Sequence, residues 1–410
     1  MNETWNVFLN LIRQALRGLN SVSDEVTLSP ETWEILLAIS SKHEILPLIF
    51  EEALRHSSFS ALNSEIRKKY REKAISIAVR QIVQTNEFLT LILHAQARGL
   101  DPIVLKGITV RSLYPKSMLR PSVDEDILVA PDQVEEWHAF LLSEGLEPDD
   151  PQADRRKADE LSYHKPNSPT YIELHLSLFS SDSSAYGELN DLFEDADKHP
   201  SKITIEDVTL RTLSPTDHLL YLLCHAYKHF LHGGVGIRQV CDIGIFSDHY
   251  ADEIDWDRVR TSCDSVRIAA YSAALFRIAE KHLGFPMPAA FADLDVDEAD
   301  MLEDILSGGL YGVNDINRAH SSTITLDAVA SQKQGRQHRG VLASVFLPLG
   351  SMCGHYPYLR RFPWLLPVAW TQRVLRYLTH RDGLAPGKPG ETVRIGKERV
   401  ELLKEYGILD

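Results

Sequence analysis

The amino-acid sequence predicts an α+β protein, with a small mixed-sheet core between helical N-terminal and C-terminal regions. Three observations carry that reading. From Val7 to about Leu100 the apolar residues recur at helical spacing. Between 101 and 210 short β-favouring runs take over, and at Ser214-Pro215-Thr216-Asp217 helix signals return. The expected units are a helical region over 1–100, an α/β core over 101–210, a helical region over 211–306, and a linker with a basic helical C-terminal segment over 307–410.

In the first unit Trp33, Ile35, Leu36, Leu37 and Ile39, then Ile45, Leu46, Leu48 and Ile49, fit amphipathic helices. Ser29-Pro30-Glu31 marks a helix start: the Ser29 hydroxyl can cap a free N–H, and Pro30 suits the first helical position. Pro102-Ile103-Val104-Leu105 reads as a buried strand ending in a turn at Lys106-Gly107. A short helix over Ile108 to Tyr114, a loop to Pro121 and a second strand over Asp124 to Val129 follow. Pro131 opens a helix through Leu142 that Gly145 closes. Tyr171-Ile172-Glu173-Leu174-His175-Leu176 supplies a third strand, after a polar loop rich in Pro, Asp and Ser. From Ser214 the residues Leu219, Leu220, Leu222, Leu223, Ala226 and Phe230 resume a helix, and the chain reads as mostly helical to about Gly284. Ser307 to Gly340, rich in Gly, Ser and Gln, reads as a linker or mobile loop, and Val341 to Arg381 as a helical hairpin with proline breaks.

A chain of 410 residues with 44% hydrophobic content can fill the cores of two or three units. Its net charge of −15 disfavours bulk nucleic acid as a partner unless charge is segregated. Segregation occurs, since residues 331–400 carry twelve Lys or Arg against three acids. That segment suits an anionic substrate or an intramolecular match to the acidic body. Cys224, Cys241, Cys263 and Cys353 are too scattered for a disulfide framework and contain no C-x-x-C metal pair, which fits a reducing compartment. The N-terminus shows neither a basic n-region nor an apolar h-region, and apolar runs such as Trp364 to Trp370 are far shorter than a membrane span. A cytoplasmic protein with no membrane partner is expected.

Asp124-Glu125-Asp126 opens the second strand, and a side-chain period of two sets Asp124 and Asp126 on one face with Glu125 on the other. Two carboxylates on one edge can share divalent cations, which act as Lewis acids in phosphoryl and nucleotidyl transfer. Isolated D-x-D pairs are common on surfaces, so context decides. Lys106-Gly107 ends a strand upstream, and in the third strand Ile172 and Leu174 face the core while Glu173 and His175 share the opposite face. Glu173 can then complete a three-acid site as metal ligand or base, and Glu125 should matter far less to turnover.

This arrangement resembles the DNA polymerase beta-like nucleotidyltransferase superfamily, with its strand-glycine turn, D-x-D and third acid on a later strand. It is more closely similar to the uncharacterised nucleotidyltransferase family, on Leu105-Lys106-Gly107, on Arg120 through Asp124-Glu125-Asp126-Ile127-Leu128-Val129, and on Ile172-Glu173-Leu174-His175. Further likeness lies in His225-Ala226-Tyr227-Lys228-His229, Arg238, Asp242-Ile243 and the stretch from Tyr356 to Arg376. The resemblance implies a nucleotidyltransferase that moves an NMP group from an NTP such as ATP to a small-molecule, peptide or protein acceptor, releasing pyrophosphate. It implies Mg²⁺ (or Mn²⁺) on Asp124, Asp126 and Glu173. The chain departs from the superfamily where Gly107 is followed by Ile108 instead of a second small residue. Phosphate contacts are therefore sought from Lys106, Gly107, Thr109 and Arg120, with Lys228 and His229 at the cleft rim. Lys106 can equally be a surface lysine, the i, i+4 pair His225 and His229 can pack or bind zinc, and Arg238 with Asp242 can form a structural ion pair. A silent NTP-binding protein of the same fold and a D-x-D glycosyltransferase are the alternatives; the latter normally needs a larger parallel sheet before its D-x-D.

Overall fold

The computed structural model describes residues 3–18, 27–309, 316–336, 349–353, 356–379 and 389–410. The Ser29 cap forms: its hydroxyl accepts the Thr32 N–H at 3.2 Å, and Pro30 takes the first position of the helix. Helices α1 (Glu3–Arg17), α2 (Pro30–Lys42) and α3 (Leu46–Ala53) turn Phe8, Ile12, Trp33, Leu37 and Ile49 into a shared core. The long α4 (Ser64–Ala97) follows, capped by the Asn63 side chain, which accepts the Glu65 and Ile66 N–H groups.

Seven strands form one mixed sheet: β1 (Ile103–Val104), β2 (Glu125–Leu128), β3 (Glu147–Pro148), β4 (Glu160–His164), β5 (Tyr171–His175), β6 (Ser201–Ile205) and β7 (Val208–Thr212). Their order is β3-β4-β5-β2-β1-β7-β6. The pairing that positions the chemistry is β2 with β5, parallel, with Asp126 beside Glu173 and Leu128 beside His175. Only three of these strands are legible as apolar runs. β4 lies within the stretch read as polar loop, where just Leu161 and Tyr163 alternate inward. β6 and β7 turn through Glu206-Asp207, both at positive φ, in place of the Asn-Gly or Asp-Gly pair that signals such a hairpin.

One face of the sheet is covered by α4 and α6 (Val134–Ser143): Phe88, Ile92, Trp137 and Phe140 meet Ile127, Ile172 and Leu174. Strand alternation then sends Asp126, Glu173 and His175 to the other face. There α7 (Pro215–His232) passes, joined to the sheet by His218, whose ring nitrogens lie 3.4 Å from the Thr109 hydroxyl and 3.2 Å from the Thr212 hydroxyl. The short α5 (Lys106–Arg111) links β1 to the β2 loop, and α8 (Ile237–His249), α9 (Trp256–Ser265), α10 (Ala269–Ile278) and α11 (Ala299–Gly308) complete the helical region.

Part of the stretch read as a linker is a packed helix, α12 (Ile316–Lys333), which buries Ile324, Ala328 and Val329. It lies against the helix Pro389–Glu405 so closely that a Cβ on Gly396 would fall 2.6 Å from Ile324 Cδ1. The helical spacing of these few apolar residues was masked by the surrounding Ser and Gln. In the expected proline-broken segment, helices Leu349–Cys353, Tyr358–Arg361 and Leu366–Thr379 gather Met352, Tyr356, Leu359 and Ala369 into a small cluster. The remainder of that expectation, 341–348, 354–355 and 380–381, lies outside the described residues. Among the described residues no helix is long and apolar enough to cross a membrane. All four cysteines are free thiols.

Candidate active site

The site begins with a turn that only glycine makes comfortably. Gly107 sits at φ +33°, and a Cβ there would lie 2.3 Å from Glu125 Oε2. That approach lets Glu125 accept the Ile108 N–H at 2.8 Å and Arg111 Nη2 at 2.5 Å. Arg111 also donates to the Ser122 and Thr85 hydroxyls. Glu125 thus faces away from Asp126, as expected, but it is wholly buried and ties the glycine turn, α5 and β2 together. Spacing alone gave it too little weight in the structure.

On the opposite face Asp126 is 1% exposed, and its Oδ1 lies 3.0 Å from His175 Nε2 and 3.2 Å from Lys106 Nζ. Its Oδ2 is buried with no hydrogen-bond partner. Glu173 Oε2 lies 3.7 Å from the same His175 nitrogen, and His175 Nδ1 faces Glu160 Oε2 at 3.8 Å. Asp124 stands just before β2, 27% exposed, with Oδ2 3.7 Å from Lys106 Nζ. Lys106 is accordingly no plain surface lysine; it spans both aspartates.

Electrostatics follow from this crowding. Burial disfavours a charge on Asp126, yet Lys106 and the His175 hydrogen bond outweigh it and hold the carboxyl well below the usual range. Burial pushes Glu173 up to about 7, a rise that the His175 hydrogen bond opposes and the Asp126 and Asp124 charges reinforce. For His175 burial works against the proton, but hydrogen bonds to Asp126 and Glu173 prevail and raise it to about 9. The cluster is therefore short of positive charge. Asp126, Glu173 and His175 each offer one ligand atom, all within 4.8 Å of one another, and among the described residues they form the one such group of three or more.

The other expected contacts divide. Thr109 is buried and its hydroxyl donates back to the Lys106 carbonyl at 2.6 Å, within its own helix. Arg120 is buried in a two-pronged pair with Asp242, Nε to Oδ1 at 3.0 Å and Nη2 to Oδ2 at 2.6 Å, and Tyr114 donates to the same carboxylate. Asp242 is thus the partner of Arg120, and not of Arg238 as its i, i+4 spacing suggested; Arg238 instead donates to the Pro121 carbonyl at 2.6 Å. Both arginines brace the loop that delivers Asp124. Sequence cannot reveal an ion pair spanning 122 positions. Along α7, His225 and His229 meet through their Nε2 atoms at 3.2 Å, and Lys228 is half-buried beside them. Burial first, then the nearby Lys106 charge, holds both rings well below the ordinary histidine range.

The candidate site thus combines a buried carboxylate that has one oxygen without a hydrogen-bond partner, a further acid beside it on a parallel strand pair, and a lysine from a glycine turn. The chain belongs to the uncharacterised nucleotidyltransferase family, whose model matches residues 29–284, from α2 through α10. The likeness read between Tyr356 and Arg376 lies beyond that match. No curated protein and no solved structure matches the chain.

Proposed function

We propose that this nucleotidyltransferase moves a nucleoside monophosphate from an NTP, ATP included, to an acceptor hydroxyl with release of pyrophosphate. The observation that carries this reading is Asp126 Oδ2, a buried carboxylate oxygen with no partner, set beside Glu173 and behind the more open Asp124. A buried carboxylate oxygen without a partner costs stability unless a donor or a cation meets it, and the donor set suits a divalent ion, Mg²⁺ or Mn²⁺. Such an ion supplies Lewis acidity at the α-phosphate and at the departing pyrophosphate. Asp124, Asp126 and Glu173 would hold it. Lys106, drawn to the acids from the glycine turn, would offset triphosphate charge, and Lys228 and His229 would line the rim. In the step, the acceptor oxygen bonds to the α-phosphorus, the bond to the bridging α–β oxygen breaks, and the hydroxyl proton is lost. A cytoplasmic enzyme acting on a small molecule, peptide or protein suits the acidic chain better than one acting on bulk nucleic acid.

A second reading has an observation of its own: the Ile108 N–H, which a phosphate-gripping turn would offer to its ligand, is taken by Glu125. It makes the chain a silent NTP-binding protein. One experiment separates them. With NTP labelled at the α-phosphorus and a panel of acceptors, label should enter an acceptor in step with pyrophosphate, stop with EDTA and return with metal. Label transferred only from the γ-phosphorus would refute nucleotidyl transfer, and metal-dependent binding without turnover on any acceptor would favour the silent reading.

A further inference from the structure

We infer that His175 is itself a metal ligand, and that the nitrogen it adds makes the site bind Mn²⁺ in preference to Mg²⁺. The inference rests on the metal-dependent reading above and names the ion. Its ground is geometric. The three ligand atoms that converge are two carboxylate oxygens, from Asp126 and Glu173, and His175 Nε2, not three carboxylates. The ring is 4% exposed and fixed between Asp126 at 3.0 Å and Glu173 at 3.7 Å, next to the unpartnered Asp126 Oδ2. On its far side Nδ1 faces the Glu160 carboxylate at 3.8 Å. Ligating histidines characteristically turn their second nitrogen to a carboxylate, which fixes the ring and raises its basicity. At 3.8 Å Glu160 lies beyond hydrogen-bond reach and acts on the ring through its charge.

The chemistry of the donor set gives the preference. Mg²⁺ is a hard ion that keeps oxygen ligands and sheds water reluctantly, so an imidazole adds little to its binding. Mn²⁺ accepts carboxylates and water as Mg²⁺ does, while lying on the first-row series that gains from nitrogen. Only a ring without a proton on Nε2 can ligate, so the ion and such a proton exclude one another. The i, i+2 alternation of β5 already put His175 on the face of Glu173, yet a three-acid pattern gives no reason to count it among the ligands.

Mn²⁺ added to the wild-type protein, alone and with a non-hydrolysable ATP analogue, tests this by electron paramagnetic resonance without any substituted chain. The pulsed spectrum should show coupling to ¹⁴N that changes to ¹⁵N in protein carrying ¹⁵N-labelled histidine. Competition should show Mg²⁺ binding more weakly than Mn²⁺. In H175Q the nitrogen coupling should vanish and the gap between the two ions should narrow, while E160Q should keep the coupling and weaken Mn²⁺. Bound Mn²⁺ without histidine coupling, or a gap unchanged in a folded H175Q, would overturn the assignment and leave the transfer reading standing. No Mn²⁺ bound under either condition would bring down both.

Discussion

Glu125→Gln should destabilise the fold by about 3–5 kcal/mol, although the residue never faces the chemistry. The carboxylate has two duties at once: Oε2 accepts the Ile108 N–H at 2.8 Å and Oε1 accepts Arg111 Nη2 at 2.5 Å. Glutamine keeps one acceptor and places an NH₂ where the other stood, against a donor. It also leaves the Arg111 guanidinium, 1% exposed, without its counter-charge. Breaking one member of a buried pair costs several times more than an exposed pair is worth, which sets the range. The double variant with Arg111→Met should lose less than the sum of the single losses, because no buried charge is then left unpaired and the one glutamine oxygen can still accept the Ile108 N–H. Urea unfolding followed by tryptophan fluorescence and by far-UV circular dichroism, with coincident transitions, measures both. A loss below about 1 kcal/mol for the single variant would show that water or a neighbouring side chain replaces the carboxylate, and the anchoring role would fall.

Asp126→Asn should lower turnover by at least about a hundredfold in a protein that still folds, and Asp124→Asn should do likewise; folded, fully active variants would remove the acids from the chemistry. Stability should fall in mild acid. His43 and His218 are buried and held near 4 and 3 against an ordinary 6.5, so below pH 6.5 the unfolded chain takes up protons that the folded rings refuse. The His43 shift alone is worth roughly 3 kcal/mol, lost between pH 6.5 and about 4, and a flat pH profile of unfolding across that window would contradict the burial assigned to these rings. Neutralising the exposed Arg360 and Arg361 should weaken NTP or acceptor binding if the basic segment serves the substrate; unchanged kinetics with a lowered melting temperature would assign it to intramolecular charge matching, as Lys333 with Glu188 already does.

The candidate site residues were legible because they sit on local patterns. The period of two in β2 and β5 fixes which acids share a face, and the apolar run before Lys106-Gly107 fixes where the turn falls. The lysine could be placed near a phosphate site from the turn alone, but its span across Asp124 and Asp126 could not. What sequence concealed is long-range. Arg120 meets Asp242, Arg238 meets the Pro121 carbonyl, and Gln84 on α4 reaches the Val123 carbonyl, each across a separation that no periodicity encodes. The α12 helix was hidden for a different reason: it buries few apolar residues, and its stability comes from a partner helix far along the chain.

The two neighbouring acids of β2 are set to opposite tasks by a single alternation, and this couples the fold to the site. Asp126 has one buried oxygen without a hydrogen-bond partner, while Glu125, one residue earlier, has a donor on each oxygen. A slip of β2 by one residue would exchange them, burying Asp126 against Arg111 and sending Glu125 toward Lys106. What forbids the slip is the Glu125 anchor together with Gly107, since a side chain at Gly107 would occupy the space of the Glu125 carboxylate. The placement of Asp126 is therefore fixed by the anchoring of its neighbour. On this account Gly107→Ala should harm the site by displacing Glu125, and do so even though the alanine methyl points to the side away from Asp126. If Gly107→Ala left both stability and metal binding intact, the register of β2 would have to be held by its pairing with β1 and β5 and by the packing of Ile127.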